Sequence, residues 1–208
     1  MPSSNPYADA LAVLDVPPLT PARASIERAL VEWMQEHARA AGDLTVCGLA
    51  QRAFVARSTV YANYRSVDDV LAVVESRLLA ALMAAGKPLA DRSRGVDSAT
   101  DAYDAFVALL HAREREFRLL LEQVPSARFA AQWKRVLGWL FWERLFAGSA
   151  APPAHDRPSS VNRALVLEML AEAFIAAVRF WLAHPDQVGT AELKALIARL
   201  IHDIDEVW

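Results

Sequence analysis

The stretch AFVARSTVYANYRS, Ala53 to Ser66, decides how this 208-residue sequence is interpreted. A helix that begins near Arg57 would turn Val60 and Tyr64, four residues apart, towards the protein interior. It would leave arginine, hydroxyl and amide side chains outside, and these groups hydrogen-bond to phosphates and base edges. On periodicity alone, a solvated polar face and a face that reads DNA are equally good interpretations.

Capping signals on both sides of this stretch predict a helix-turn-helix. Thr20 followed by Pro21 is typical of a helix start, and Thr45 begins a short helix, VCGLAQRA. Ser66 and Asp69 have the spacing of a capping box, which predicts that a longer helix follows. Two short helices joined by a tight turn and flanked by longer helices are typical of the helix-turn-helix motif.

The rest of the chain is also predicted to be helical, with 54% hydrophobic residues and only 7 Gly. Helices are expected over about 67–85, 97–112, 114–123, 125–147, 159–183 and from 190 onward, with Gly- and Pro-containing connections at 86–96 and 148–160. The predicted fold class is all-α with about nine helices. The predicted division is a flexible arm over 1–19, a helix-turn-helix domain over 20–68 and a larger helical bundle over 69–208.

Composition and motif content exclude several classes of function. The net charge of −3 does not indicate a generally basic, nucleic-acid-coating protein, and the single cysteine, Cys47, excludes an intramolecular disulfide framework. No apolar run reaches the roughly 18 residues of a membrane span, so we expect a cytoplasmic protein with no membrane partner. Histidines at metal-ligand spacing, a GxSxG motif and a Gly-rich phosphate loop are all absent, so no enzyme activity, metal or cofactor is predicted.

The segment from Leu44 to Val74 resembles the DNA-binding helix-turn-helix of TetR-type transcriptional regulators. The matching positions are Thr45, Val46, Leu49, Ala50, Val55, Thr59, Val60, Tyr61, Tyr64, Ser66, Asp69 and Leu71. The resemblance is specific over about residues 20–75, and the remaining helices are similar in size and order to the family's ligand-binding and dimerisation domain. It implies DNA-binding side chains at Thr45, Arg57, Ser58, Thr59, Tyr61, Asn63, Tyr64 and Arg65.

Three positions depart from the family pattern. Phe54 stands where the turn usually has Gly, Ala56 where a small hydroxyl caps the recognition helix, and Val67 where a Lys commonly contacts phosphate. The segment from Thr20 to Leu71 carries six basic and six acidic residues, so non-specific DNA binding should be weak and salt-dependent. An alternative therefore stays open, in which a helical ligand-binding or protein-interaction module of the same fold no longer binds DNA.

The resemblance also implies a homodimeric repressor that binds a palindromic operator in double-stranded DNA and is released by a small-molecule effector. Aromatic residues are dense in the middle helices, which favours an apolar or aromatic effector, although each ring is equally suited to a packed core. The predicted ligand-binding residues are Phe106, Leu110, Phe117, Gln123, Trp133, Trp139, Trp142 and Phe174. The predicted dimer interface lies on the last two helices, at Ala164, Leu167, Ala171, Phe174, Val178, Trp181, Leu193 and Leu196.

Overall fold

The computed structural model describes residues 5–91, 95–146, 160–184 and 186–205. All regular secondary structure in these ranges is helical and includes nine α-helices, which confirms the predicted all-α fold class. They are α1 (Pro21–His37), α2 (Val46–Arg52), α3 (Arg57–Asn63), α4 (Val67–Ala90), α5 (Gly95–Ala112), α6 (Glu114–Arg118), α7 (Ala127–Leu145), α8 (Ser160–Ala183) and α9 (Thr190–Asp205). Within the described ranges, no helix is both long and apolar enough to cross a membrane.

Side-chain caps fix the starts of three helices where the sequence predicts them. The Thr20 hydroxyl accepts a hydrogen bond from the Arg23 backbone N–H at 3.3 Å and begins α1, and Thr45 does the same for α2. The Ser66 hydroxyl accepts from the Asp69 backbone N–H at 3.1 Å and begins α4. Each cap satisfies a backbone donor that has no partner inside its helix.

Two hydrophobic cores are joined by α4. The smaller core packs α1, α2, α3 and the first turn of α4, here called the helix-turn-helix domain, and contains Ile26, Leu49, Val60 and Val70. The larger core packs the rest of α4 against α5, α7, α8 and α9, which together with α6 are here called the bundle domain. Helix α4 is thus the element that the two cores share.

Helix α4 continues to Ala90, five residues beyond the predicted end, because packing overrides two local breaking signals. Gly86 lies directly against α7, where an added Cβ would come 2.4 Å from Leu140 Cδ1. This glycine therefore permits a close helix contact. Pro88 lies in the last turn and is followed by only two helical residues, so the helix ends shortly after it.

The N-terminal segment, predicted to be a flexible arm over 1–19, packs against the bundle domain from Asn5 onward. Residues Ala8–Leu14 form a 3-10 helix that contacts α4 and α7. The Tyr7 ring lies over Gly138, where an added Cβ would approach Tyr7 Cε1 to 2.7 Å. The Asn5 amide also donates a hydrogen bond to Glu143 Oε1 at 2.8 Å.

Candidate nucleic-acid interface and effector cavity

Helix α3, predicted to be the recognition helix, is held in place by its inner face. Val60 is fully buried and Tyr64, directly after the helix, is 2% exposed. The Tyr64 hydroxyl donates a hydrogen bond to Glu27 Oε1 on α1 at 2.7 Å. Arg77 on α4 donates to Glu27 Oε2 at 2.8 Å and to the Pro17 carbonyl oxygen at 2.8 Å. One buried network therefore ties the end of α3 to α1, α4 and the N-terminal segment.

The Tyr64 phenol is in its protonated form in this network. Burial, the hydrogen bond to Glu27 and the charge of that carboxylate together raise the pKa of Tyr64 well above its ordinary range. The phenol is therefore a permanent donor at physiological pH. From the sequence, Tyr64 was predicted both to face inward and to contact DNA. Its burial leaves it a positioning role and no exposed surface for DNA.

Glu27 and Arg77 were not singled out from the sequence, although one of them carried a signal. Glu27 lies beside Ile26 and one turn before Leu30 on the buried stripe of α1, which is an unusual place for a charge. Only 9% of the Glu27 side chain and 17% of the Arg77 side chain are exposed. A charge on an apolar stripe implies an oppositely charged partner. The partner, Arg77, lies 50 residues further along the chain, and only the tertiary structure brings it to Glu27.

The outer face of α3 presents several of the predicted DNA-binding side chains together. Arg57 and Ser58 are exposed at the start of the helix, and Tyr61 is 55% exposed one turn later. Thr45 is also exposed, although its hydroxyl caps α2. The Asn63 amide bonds back to the Thr59 carbonyl oxygen at 2.8 Å, and both residues are half-buried. Arg57, Ser58 and Tyr61 are thus exposed on α3 with no side-chain hydrogen bond or ion pair to the residues that the structure describes.

The arginines around α3 differ in whether a carboxylate already neutralises them. Arg52 forms an ion pair with Glu36, and Arg65 pairs with Asp69 at 3.2 Å while its side chain stays 92% exposed. Hydrogen bonds from the Arg65 backbone N–H and guanidinium hold the pKa of Asp69 below its ordinary value. Arg57 has no ion pair or hydrogen bond from its guanidinium to any residue that the structure describes.

The turn before α3 has an unusual backbone. The N–H groups of Phe54 and Val55 donate to the carbonyl oxygens of Gln51 and Ala50, which is the Schellman arrangement at the end of α2. Phe54 occupies the left-handed position of that motif with φ of 54°, where glycine is usual. Ala56 follows as the N-cap of α3 and makes no side-chain cap, so neither Ala56 nor Ser58 caps the helix.

The predicted effector residues divide between a small cavity and the solid core. Phe106, Trp133 and Phe174 line a cavity of about 30 Å³ between α4, α5, α7 and α8, a volume that suits one or two water molecules. Leu110, Phe117 and Trp142 are buried but do not line that cavity, Trp139 is half-buried, and Gln123 is exposed. The Trp133 indole N–H is buried and has no hydrogen-bond acceptor among the described residues.

A larger cavity lies between the two domains and was not predicted from the sequence. It has a volume of about 320 Å³ and is walled by α1, α4 and the residues around the start of α6. Its lining is charged: Arg113 pairs with Glu116, and the buried Glu27–Arg77 pair forms part of the wall. This cavity is suited to polar molecules, in contrast to the apolar cavity beside Trp133.

Most of the residues predicted for the dimer interface face the interior of their own chain. Six of them are buried: Leu167, Ala171, Phe174, Val178, Trp181 and Leu193. Ala164 and Leu196 are exposed. A different row of residues, here called the α8 stripe, is apolar and exposed along the opposite face: Leu165, Met169, Ala173, Ala176 and Phe180. Contact with a second chain through α8 would therefore use the α8 stripe.

Comparison with known proteins supports the fold. No family model and no curated protein matches this sequence. Among solved structures, the chain is similar to the dihydroxyacetone kinase operon activator DhaS, with 14% sequence identity and a TM-score of 0.57. The similarity covers 89% of this chain and 94% of DhaS. The chain therefore shares its all-helical fold with a transcriptional regulator.

Proposed function

We propose that this protein is a DNA-binding transcriptional regulator that reads DNA with the outer face of α3. The observation that carries the proposal is the exposed set of Arg57, Ser58 and Tyr61 on a helix whose inner face is anchored by Val60 and Tyr64. Arginine pairs with guanine edges, and hydroxyl groups bond to phosphates and bases. The shared fold with a transcriptional regulator supports the same function.

The regulator acts as a homodimer on a palindromic operator. The α8 stripe supports this part of the proposal, since Leu165, Met169 and Phe180 are 58%, 64% and 49% exposed on one helix face. A continuous apolar row on a surface helix favours self-association, and a two-fold axis through it would repeat α3 on the partner. Two such helices must lie about 34–36 Å apart, or a multiple of that distance, to enter successive major grooves.

An apolar or aromatic effector releases the protein from DNA, which makes it a repressor. Leu82 and Gly86 of α4 line the small cavity, while Val67 and Val70 of the same helix pack in the helix-turn-helix domain. A ligand that enlarges the cavity would displace α4 and change the spacing of the two recognition helices. The Trp133 indole N–H, which has no acceptor among the described residues, favours a ligand with one hydrogen-bond acceptor.

A second candidate function is a helical ligand-binding or protein-interaction module that does not bind DNA. The ion pairs around α3 favour it, because Arg52 and Arg65 are already neutralised by carboxylates. They leave Arg57 as the one cation of this group without a partner among the described residues. The module would still form a dimer and still be stabilised by a ligand, but it would show no saturable binding to DNA.

Selection of duplexes from a random library at low salt separates the two candidates. Wild-type protein should enrich a palindrome, and Arg57→Ala should lose the enrichment without a change in melting temperature. Arg115→Ala is the matched control, because it removes an exposed arginine from the bundle domain, on α6. This control should enrich the same palindrome as wild type. A folded wild-type dimer that enriches nothing would favour the module over the regulator.

A further inference from the structure

We infer that Phe54 is a DNA-contacting residue whose ring packs against apolar groups of the operator, an inference that rests on the proposed function. Phe54 has a φ of 54°, in the left-handed region that side chains other than glycine and asparagine avoid. The residue is 95% exposed, the highest value among the large exposed hydrophobic residues of the described chain. The phenylalanine therefore adopts a costly backbone conformation with almost no contact inside its own chain.

The combination of strain and exposure points to a partner outside the chain. An exposed apolar side chain alone is common, and a residue with positive φ is usually explained by packing or hydrogen bonding of its side chain. The Phe54 ring has neither explanation here, because it is solvated. The Schellman hydrogen bonds at the end of α2 explain the left-handed backbone at this position but not the choice of phenylalanine over glycine, and strained residues cluster at functional sites.

The position of Phe54 identifies the partner as the DNA that α3 would read. Phe54 lies three residues before Arg57, so its Cα is at most roughly 11 Å from that of Arg57. The intervening Ala56, directly before Arg57, is also exposed. With Arg57 in the major groove, the ring reaches the edge of the groove. The apolar groups there are thymine methyl groups and deoxyribose rings.

Two glycine substitutions separate strain from contact. Phe54→Gly removes the strain of the left-handed conformation. Ala38→Gly is its matched control, because Ala38 has a φ of 49° at the end of α1 and is also exposed. Each variant should raise the melting temperature by about 2–4 °C. Only Phe54→Gly should weaken binding to the selected operator, by about tenfold, since it removes an apolar contact of aromatic size.

Two further variants test the ring itself. Phe54→Asn tolerates the left-handed backbone without the added flexibility of glycine, and it should weaken operator binding as much as Phe54→Gly. Phe54→Tyr keeps the ring and should bind within about twofold of wild type, since the apolar contact is retained. Operator duplexes with deoxyuridine in place of thymidine identify the contacted group. If one deoxyuridine substitution weakens the binding of wild type but does not weaken the binding of Phe54→Gly further, the ring contacts the thymine methyl group at that position. If no deoxyuridine substitution weakens the binding of wild type, the ring contacts deoxyribose.

Three results would overturn the inference in distinguishable ways. Wild-type protein that selects no operator refutes the proposed function and this contact together. Wild type that binds while Phe54→Gly and Phe54→Asn bind equally tightly refutes only the contact. A loss of affinity that accompanies loss of the dimer, seen by sedimentation, assigns Phe54 to self-association and also refutes the contact with DNA.

Discussion

Replacing Arg77 with Met tests whether the buried network holds the recognition helix. The substitution keeps most of the side-chain volume but leaves Glu27, whose side chain is only 9% exposed, with Tyr64 as its remaining partner. Removing one member of a buried ion pair costs about 3–5 kcal/mol, because the other charge stays buried without compensation. The lost hydrogen bond to the Pro17 carbonyl oxygen adds about 1 kcal/mol.

The expected consequence is a large drop in stability and a loss of DNA binding. For a chain of this length each kcal/mol lowers the melting temperature by about 2–4 °C, so Arg77→Met should melt roughly 8–24 °C below wild type. Circular dichroism during thermal and urea unfolding measures this difference. The matched control is Arg39→Met, which breaks an ion pair to Asp43 whose side chains are 61% and 44% exposed, and which should cost at most about 1 kcal/mol.

Two results would refute this reasoning. Arg77→Met within about 1 kcal/mol of the Arg39→Met control would mean that the pair contributes no more than a surface contact. A double variant with Glu27→Leu and Arg77→Met that is no more stable than Arg77→Met alone would mean that the buried carboxylate carries no penalty. The account predicts partial recovery in the double variant, since it removes the unpaired charge.

Three further predictions follow from single contacts. Gly138→Ala should displace the tyrosine ring that lies over it, because the new Cβ would lie 2.7 Å from that ring, and limited proteolysis should then cut the N-terminal segment faster. Asp69 has a folded-state pKa below its ordinary value of 3.8. Its contribution to the free energy of unfolding is therefore present above pH 3.8 and is lost as the pH falls through the folded-state pKa. Asp69→Asn should accordingly narrow the difference between the melting temperatures at about pH 7 and about pH 3. Met169→Glu together with Phe180→Glu should convert the proposed dimer to a folded monomer in sedimentation analysis, because both side chains lie on the α8 stripe. Leu11→Glu, at a residue 44% exposed on the 3-10 helix, is the control and should leave the dimer intact.

Local signals predicted the helix starts and the anchoring of α3. Thr20, Thr45 and Ser66 cap helices where the sequence indicates, because a cap depends only on residues within one turn. Val60 and Tyr64 are buried as their spacing predicts. The length of α4 was underestimated, since Gly and Pro are breakers locally and only the contact with α7 explains the glycine at position 86.

Features that depend on distant residues could not be predicted in the same way. The Glu27–Arg77 pair joins helices that are far apart in sequence, and no local pattern selects the partner. Helix α8 is apolar on most of its surface, so periodicity does not indicate which face turns inward. The interface prediction accordingly included residues such as Leu167 and Val178 that fill the core of their own chain.

Comparison of the affinities for the selected operator and for a scrambled duplex of the same length tests the central claim most directly. Fluorescence anisotropy at physiological salt should show the operator bound at least about 1,000-fold more tightly, as expected for direct reading of bases by Arg57 and its neighbours. If a folded dimer bound both duplexes with equal affinity, the central claim would be wrong, and any binding would be due to the phosphate backbone alone.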